Sequence, residues 1–236
     1  MKLTIIIPIF NEEDNLAQLE KALADYLSKS SVDACVLFVN DGSGDNSQEL
    51  IDGICRRQND FNFIQLKRNG GISTALKVGF DHAKTEWIGY MDADLQTHPE
   101  DFELLIEYLK DYDLVTGIRT NRQDTMLKTV SSLIANGIRR WFTRDGIDDT
   151  GCPLKIIRSK TAKNIPMFKG FHRFLPALVL LQKGKVKQVP VRHFPRMAGQ
   201  SKFGLSNRLI RPLLACFAYL WIKKNYIDYQ ILKKSG

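Results

Sequence analysis

The chain lacks the residues and motifs that mark several common protein classes. Its 236 residues include only four cysteines and four histidines, and the cysteines show neither metal-site nor redox spacing. There is no G-x-x-x-x-G-K-[ST] and no G-x-G-x-x-G after the first apolar run, which argues against an ordinary NTPase or dinucleotide enzyme. It also shows no internal repeat, low-complexity tract or flexible linker. We therefore expect one globular domain with reduced, mostly buried thiols, as in a cytoplasmic protein.

Long apolar runs are missing as well. The longest late run, LLACFAYLWI at 213–222, has 10 residues, against the ~20 that a bilayer-spanning helix needs. Basic residues bracket it, so we expect a helix that lies at the membrane surface or docks on a membrane partner. A terminal core helix is the alternative. The N-terminal Met-Lys followed by LTIIIPIF lacks the cleavage region of a signal peptide, and we assign it to the core.

Acidic residues are scarce in the second half of the chain. Residues 1–118 hold 10 Lys+Arg and 21 Asp+Glu, whereas residues 119–236 hold 24 and 5, within a total net charge of +8. A basic half of this strength indicates an anionic partner, which could be nucleic acid, a phosphorylated substrate or an anionic membrane. A solvated basic surface is the plain alternative.

The first half alternates apolar, strand-like runs with helical patterns. Continuously apolar strands that alternate with helices are typical of an α/β fold, with a mostly parallel central sheet covered by helices on both faces. In such sheets, ligands bind beyond the carboxyl ends of the strands. The strand-like runs are 3–8, 34–40, 61–66, 87–91 and 113–118.

Acids cluster where that rule places a ligand site. Asp41 follows the second apolar run, and Asp92 and Asp94 follow the fourth, whereas the second Asp-x-Asp, at 111–113, begins a strand. On an extended segment Asp92, Asp94 and Gln96 share one face. Oxygen ligands of this kind suit Mg²⁺ or Mn²⁺, which bind through one or two carboxylates plus substrate phosphates.

The motifs, taken in order, carry a family resemblance. IIIPIFNEEDNL, VNDGSGDNS, RNGGISTALKVGF and YMDADLQTHPE resemble family 2 glycosyltransferases of the GT-A fold. GIRTNRQDTMLKTVSS, DDTGCPLKIIR, HRFLPAL and RMAGQSKFGLSN resemble the branch that moves a sugar onto a polyprenyl phosphate, which includes dolichol-phosphate mannose synthases and bacterial undecaprenyl-phosphate glycosyltransferases. The resemblance implies a GT-A domain over 1–206, with a nucleotide-sugar half at 1–118 and an acceptor half at 119–206. A C-terminal interfacial helical segment follows at 207–236.

The resemblance also implies a donor site. The D-x-D-x-Q element implies a metal and diphosphate site at Asp92, Asp94 and Gln96, with Asp94 catalytic through the metal. The R-x-x-G-x-S-K element implies a loop that closes over the diphosphate. Residues implied to bind the nucleotide-sugar are Pro8, Phe10, Glu12, Asp41, Asp92, Ala93, Arg196 and Lys202.

An acceptor site is implied by the second half. The G-x-R-x-x-R element implies that Arg119 and Arg122 meet the phosphate of the lipid acceptor. Arg173 has the same implied role, with a buried structural pair as the alternative. Asp149 is implied as the catalytic base, although it could instead orient the acceptor or a phosphate-binding arginine. His172 could be a ligand, a base or a packed residue, and we favour packing.

The resemblance therefore implies an inverting, metal-dependent hexosyltransferase of cell envelope biogenesis. It would move a sugar from a nucleotide-sugar, with UDP preferred over GDP, to undecaprenyl phosphate at the cytoplasmic membrane face. Transfer to a soluble glycan is the alternative within the family. A catalytically inactive family member that serves as a scaffold is a further alternative, but the intact metal and arginine motifs argue against it. A nucleic-acid-binding protein would have strand-end acids that repel phosphate, so we expect no nucleic acid partner. Asn40 stands where relatives commonly carry an acid.

Overall fold

A computed structural model describes residues 1–120, 137, 139–195, 205–227 and 232–233, without the side chains of 205–212. Strands and helices alternate in the predicted order through the first half. The elements are β1 (Lys2–Ile9), α1 (Glu13–Leu27), β2 (Asp33–Asn40), α2 (Ser47–Arg57), β3 (Phe61–Gln65), α3 (Ile72–His82), β4 (Trp87–Tyr90), a 3₁₀ turn (Pro99–Asp101), α4 (Phe102–Ile106) and β5 (Leu114–Arg119).

The second half adds two strands and longer connections. Most of the basic segment at 125–142 lies outside the described residues, and 139–143 are helical. The remaining elements are β6 (Lys155–Arg158), α5 (Ser159–Asn164), a 3₁₀ turn (Phe171–Phe174), α6 (Leu175–Leu181), β7 (Val186–Val191) and α7 (Leu205–Asn225).

Within the described residues, seven strands form one sheet in the order β3-β2-β1-β4-β6-β5-β7. Only β6 runs against its neighbours, β4 and β5. The chain moves outward from β1 through β2 to β3 and then returns to place β4 on the other side of β1. The strand order therefore reverses between β1 and β4, which is where sheets of this kind form a ligand-binding crevice.

Both faces of the sheet are covered, as the continuously apolar strands predicted. Along β1, Ile5 and Ile7 belong to a core cluster beneath α1, α2 and α4, whereas Ile6 belongs to a second cluster. The second cluster includes side chains of α3, α5, α6 and α7. Burial of each isoleucine stabilises the fold by roughly 1.5–3 kcal/mol relative to exposure. Apolar packing on both faces of the sheet therefore stabilises the strands that carry the site.

Pro190 lies within the seventh strand, although a proline has no N–H to donate to a sheet. β7 runs from Val186 to Val191 and pairs with β5 through Pro190 opposite Ile118. β7 is the edge of the sheet, and an edge strand tolerates a residue without an N–H because one side of it needs no ladder bond.

The C-terminal helix α7 has one buried side. Ala215, Cys216 and Tyr219 pack in the same cluster as Phe171 and Phe174, and Tyr219 stacks on Phe174 with ring centroids 5.8 Å apart. Within the described ranges, we find no helix that combines the length and apolar character needed to cross a bilayer. The boundary at 206/207 stays a prediction.

Candidate active site

A cleft of about 1160 Å³ opens at the carboxyl ends of β1, β2 and β4. One end is polar, formed by the chain just after these strands and by the start of α3. The other end is formed by residues 168–174 and α7, and its lining is mostly apolar, with Lys169, His172 and Arg173 as polar members. The apolar lining residues include Phe168, Phe171, Phe174, Leu214, Trp221 and Ile222.

The cleft brings together most of the residues that the sequence singled out. Predicted site residues that line it are Pro8, Phe10, Glu12, Asp41, Asp92, Ala93, Asp94 and Arg173. Of the described residues, Gln96, Arg119 and Asp149 are not part of the lining. Arg122, Arg196 and Lys202 lie outside the described residues.

Two loops are joined to each other at the polar end. Asn11, which follows β1 with φ 52°, accepts a hydrogen bond from the Gly44 N–H at 2.8 Å, and its own N–H donates to Ser43 Oγ at 2.9 Å. The Glu12 N–H donates to Ser47 Oγ at 3.0 Å. These bonds fix the segment that carries Phe10 and Glu12 against the loop after β2.

Asp41 organises the start of α3. Its two carboxylate oxygens accept the backbone N–H groups of Gly70 and Gly71 at 2.8 and 2.7 Å. Gly71 has φ 86°, a conformation that favours glycine. A carboxylate has about four acceptor positions, so Asp41 keeps capacity for a ligand in the cleft. The neighbouring Asn40 is fully buried and accepts the Ser43 N–H at 2.9 Å, so it acts on the loop.

The acid pair sits on a turn and not on an extended segment. β4 ends at Tyr90, Ala93 and Asp94 form a turn, and Leu95 has φ 52°. The alternation used to place Asp92, Asp94 and Gln96 on one face therefore does not apply, although both aspartates do line the cleft.

The electrostatics of the acid pair are unfavourable without a cation. Burial of Asp92 and the neighbouring Asp94 charge raise the pKa of Asp92 to about 6. A hydrogen bond from Tyr90 Oη at 2.9 Å, together with the positive charges of Lys155 and Arg119, partly opposes that rise in pKa. Lys155 is itself buried on β6, where its ammonium donates to the Cys152 carbonyl. Our sequence reasoning missed Lys155, whose only signal is a lysine inside an apolar strand.

Gln96 anchors another segment through its backbone. Its carbonyl accepts hydrogen bonds from the Phe194 N–H at 2.9 Å and from His193 Nδ1 at 3.1 Å. Just before them, Arg192 forms an ion pair with Asp101 at 2.7 Å. These bonds attach the segment that follows β7 to the turn that carries the acid pair. The attachment at Phe194 lies two residues before Arg196 in the sequence.

Asp149 and Arg119 form a bidentate pair beside the cleft. Arg119 Nε and Nη2 each donate to a carboxylate oxygen of Asp149 at 2.8 Å. The backbone N–H groups of Arg119 and Gly151 donate to the same carboxylate at 3.2 and 3.1 Å. The side chains are 14% and 7% exposed. Asp149 therefore fixes the position of the Arg119 guanidinium.

Comparison with known protein families supports the resemblance noted from the motifs. The family model for glycosyl transferase family 2 matches residues 4–170. Among curated proteins, the undecaprenyl-phosphate 4-deoxy-4-formamido-L-arabinose transferase of Edwardsiella ictaluri is 32% identical over 220 residues, covering 90% of this chain and 67% of the relative. The dodecaprenyl-phosphate galacturonate synthase of Rhizobium johnstonii is 31% identical over 236 residues, covering 94% of this chain and 68% of the relative.

Solved structures support the fold class. Glucosyl-3-phosphoglycerate synthase of Mycobacterium tuberculosis, in complex with Mn²⁺, UDP-glucose and phosphoglyceric acid, matches with a TM-score of 0.73 at 14% identity. The match covers 96% of this chain and 81% of that one. At this identity the likeness concerns the fold alone. The predicted GT-A fold, an α/β architecture with a mostly parallel central sheet, is confirmed.

Proposed function

The chain belongs to glycosyl transferase family 2, and on that basis we propose that it moves a sugar from a nucleotide-sugar to a polyprenyl phosphate. The observation that carries this proposal is the two-ended cleft. One cavity is lined both by strand-end acids, which suit a metal-bound diphosphate, and by apolar side chains such as Phe168 and Trp221, which suit a prenyl chain. Both curated relatives described above are named for a polyprenyl phosphate, undecaprenyl phosphate in one and dodecaprenyl phosphate in the other, which agrees with this assignment.

The donor binds at the polar end. Pro8, Phe10, Glu12 and Asp41 hold the nucleoside where β1 and β2 end, and the diphosphate lies at Asp92, Ala93 and Asp94. These assignments use residues that share one cleft. Arg196 and Lys202 complete the donor site in this proposal, and we prefer UDP as the nucleotide.

The acid pair fits Mg²⁺ or Mn²⁺. Burial and the charge of Asp94 raise the pKa of Asp92, so a cation would offset the cost of holding both carboxylates ionised. Among the described residues, no group of three or more His, Cys, Asp or Glu side chains could hold a metal. Among the described residues the acid pair offers two carboxylates, and substrate phosphates would complete the coordination. A bound ion would supply charge neutralisation of the diphosphate leaving group.

Transfer proceeds by inversion. A phosphate oxygen of the lipid attacks the anomeric carbon as the bond from that carbon to the nucleoside diphosphate breaks, and the diphosphate leaves with the electron pair. A lipid phosphate is already anionic near neutral pH, so the step needs little base catalysis. We therefore assign Asp149 to orienting Arg119, and Arg119, Arg122 and Arg173 to the acceptor phosphate.

Peripheral contact with the inner face of the membrane completes the proposal. We define the apolar face as the exposed side chains Trp141, Leu213, Leu214, Phe217, Leu220 and Trp221. Trp141 and Trp221 are 71% and 68% exposed, and aromatic residues of this kind favour the interfacial region of a bilayer. Lys223 and Lys224 lie exposed at the end of α7, and each contributes about 1 kcal/mol near anionic lipid. Leu214 and Trp221 line the cleft and also belong to this face. In this proposal the apolar end of the cleft therefore opens toward the bilayer.

Replacing Phe168 with alanine tests the acceptor assignment. Phe168 is 56% exposed, and covering a phenyl group with a prenyl chain contributes about 1.5–3 kcal/mol. The KM for undecaprenyl phosphate in detergent should therefore rise about tenfold, while the KM for the nucleotide-sugar stays unchanged. Phe63→Ala removes an exposed phenyl group from β3 and serves as the control. A rise confined to the nucleotide-sugar KM would contradict the assignment. Efficient transfer to a soluble glycan without lipid would favour the alternative acceptor.

Vesicle binding tests the membrane contact separately. Replacing Trp141 and Phe217, which do not line the cleft, with serine should abolish co-sedimentation with phosphatidylglycerol vesicles. Activity on detergent-solubilised acceptor should remain. Undiminished co-sedimentation of the double variant would remove the apolar face from the membrane contact.

A further inference from the structure

His172 is held in the wall of the cleft by a residue 99 positions earlier in the chain. Its Nδ1 lies 2.9 Å from the Oγ of Ser73. Ser73 is buried in the first turn of α3, His172 lies in the 3₁₀ turn before α6, and both line the cleft. The bond therefore joins the nucleotide-sugar half of the chain to the acceptor half.

The bonds around Ser73 determine which ring nitrogen carries the proton. The backbone N–H groups of Gly170 and His172 both donate to Ser73 Oγ, at 3.1 and 3.4 Å. A serine hydroxyl has two acceptor positions and one hydrogen. With both acceptor positions used by N–H groups, the hydroxyl hydrogen of Ser73 points to His172 Nδ1. Nδ1 is then the acceptor, and in a neutral ring the proton is on Nε2.

The surroundings keep this ring neutral. Burial, together with the nearby positive charges of Arg173 and Lys155, lowers the pKa of His172 to about 3. The imidazole therefore carries no charge at neutral pH and cannot act as a general acid in the cationic form. It offers one N–H, at Nε2, in a fixed orientation.

No described residue takes that N–H. Within the described part of the chain, the hydrogen bonds of the His172 ring are made through Nδ1 alone. The ring lies in the wall of the same cleft that Asp92, Asp94 and the α7 residue Trp221 line. We propose that His172 is a specificity-determining residue that donates a hydrogen bond from Nε2 to a substrate oxygen at the transfer point. This inference rests on the proposed function.

The oxygen could belong to either substrate. It is a hydroxyl of the transferred sugar or a phosphate oxygen of the lipid acceptor, since both are hydrogen-bond acceptors and both meet at the junction of the two ends. A site built to hydrogen-bond a substrate group rejects an analogue that lacks it, because the polar group is then left unpaired. The serine-bound imidazole would thus select among sugars or position the acceptor.

Two substitutions separate hydrogen bonding from packing. His172→Phe keeps a planar ring and removes the N–H, whereas His172→Gln places an amide N–H near the position of Nε2. The control is His82→Phe, because His82 is exposed at the end of α3 and, among the described residues, its ring bonds only the Val78 carbonyl. The measurements are calorimetric binding of the nucleotide-sugar and of the nucleoside diphosphate, and kcat and KM for transfer.

The expected result is a loss of about 10- to 100-fold in kcat/KM for His172→Phe, substantial recovery in His172→Gln, and no change in the control. If the oxygen is a sugar hydroxyl, His172→Phe weakens binding of the nucleotide-sugar but not of the nucleoside diphosphate. A donor whose sugar lacks that hydroxyl should then bind the variant and the unmodified protein equally well. If the oxygen is on the lipid phosphate, only the KM for the acceptor rises.

Two results would overturn the inference. One is a His172→Phe variant within twofold of the unmodified protein in every measurement. The other is a His172→Gln variant as impaired as His172→Phe, which would mean that ring packing is the function of His172. Failure of the proposed function looks different, because the unmodified protein would then bind nucleotide-sugar without labelling lipid. In that case weaker binding of nucleotide-sugar by His172→Phe still supports the inference, and unchanged binding overturns it.

Discussion

Replacing Asp149 with asparagine distinguishes an orienting residue from a catalytic base. The change keeps the size of the side chain and removes its charge. Asp149 accepts two hydrogen bonds from the Arg119 guanidinium, both at 2.8 Å. In the variant one of those contacts would face an amide NH₂, which is a donor, so the bidentate pair is lost.

The cost of this change follows from burial. Removing one partner of a buried ion pair costs about 3–5 kcal/mol, and the small exposure of Arg119 and Asp149, 14% and 7%, places the loss near the lower value. A loss of about 3 kcal/mol in a chain of this size corresponds to a fall in melting temperature of roughly 6–12 °C. The exposed pair between Arg140 and Asp148 has the same 2.8 Å separation, and Asp148→Asn should cost no more than about 1 kcal/mol.

A double-mutant cycle provides the assay. Asp149→Asn, Arg119→Gln and the double variant are compared by chemical denaturation and by kcat/KM for the lipid acceptor. If Asp149 acts through Arg119, the double variant loses no more than the worse single variant, with a coupling of about 2 kcal/mol or more. Losses in kcat/KM that multiply would refute this reasoning and return Asp149 to the role of base.

Three further predictions concern the acid pair, a loop glycine and pH. Asp94→Asn should lower metal-dependent turnover by about 10²- to 10³-fold with an unchanged circular dichroism spectrum, and near-normal turnover would remove Asp94 from the metal site. Gly42→Ala should cost at least about 2 kcal/mol in denaturation, because φ is +68° and the added Cβ would lie 2.6 Å from the Arg68 carbonyl carbon. Gly44→Ala, whose Cβ meets no described atom within 4 Å, should be neutral, and equal losses would contradict the steric argument. The lowered pKa of His172, about 3, means that unfolding takes up a proton below about pH 6.5, so native stability falls as pH falls from there. His172→Gln should therefore gain about 1–2 kcal/mol relative to the unmodified protein between pH 7 and pH 5 in urea titrations, and a constant difference would show that the ring is not held neutral.

The order of elements and the place of the site followed from local sequence. Apolar strands end at fixed positions, and the polar residues after them share one edge because parallel strands align their carboxyl ends. This is why Asp41, Asp92 and Asp94 could be placed together before any coordinates. The same reasoning did not place Gln96 correctly on the face of Asp92 and Asp94, because Leu95 has a left-handed backbone conformation that interrupts the extended segment. A leucine rarely adopts this conformation, so the residue pattern does not predict it.

Contacts between distant segments could not be read from the sequence. The Ser73–His172 bond spans 99 positions and the Arg119–Asp149 pair spans 30, so both depend on how the sheet closes. His172 was interpreted as packed, but the structure places it in the cleft wall. The second half has fewer regular strands, and the boundary at 206/207 stays a prediction. The side chains of Ala215, Cys216 and Tyr219 on α7 share a core cluster with the strands.

The most direct test of the proposed function is transfer of label into lipid. The purified protein is incubated with Mn²⁺, radiolabelled UDP-sugars or GDP-sugars, and undecaprenyl phosphate in detergent. The account predicts label in the lipid phase with a UDP-sugar, lost on adding a chelator and restored by excess Mg²⁺ or Mn²⁺. Release of nucleoside diphosphate with no labelled lipid, for every sugar tested, would contradict the polyprenyl phosphate acceptor.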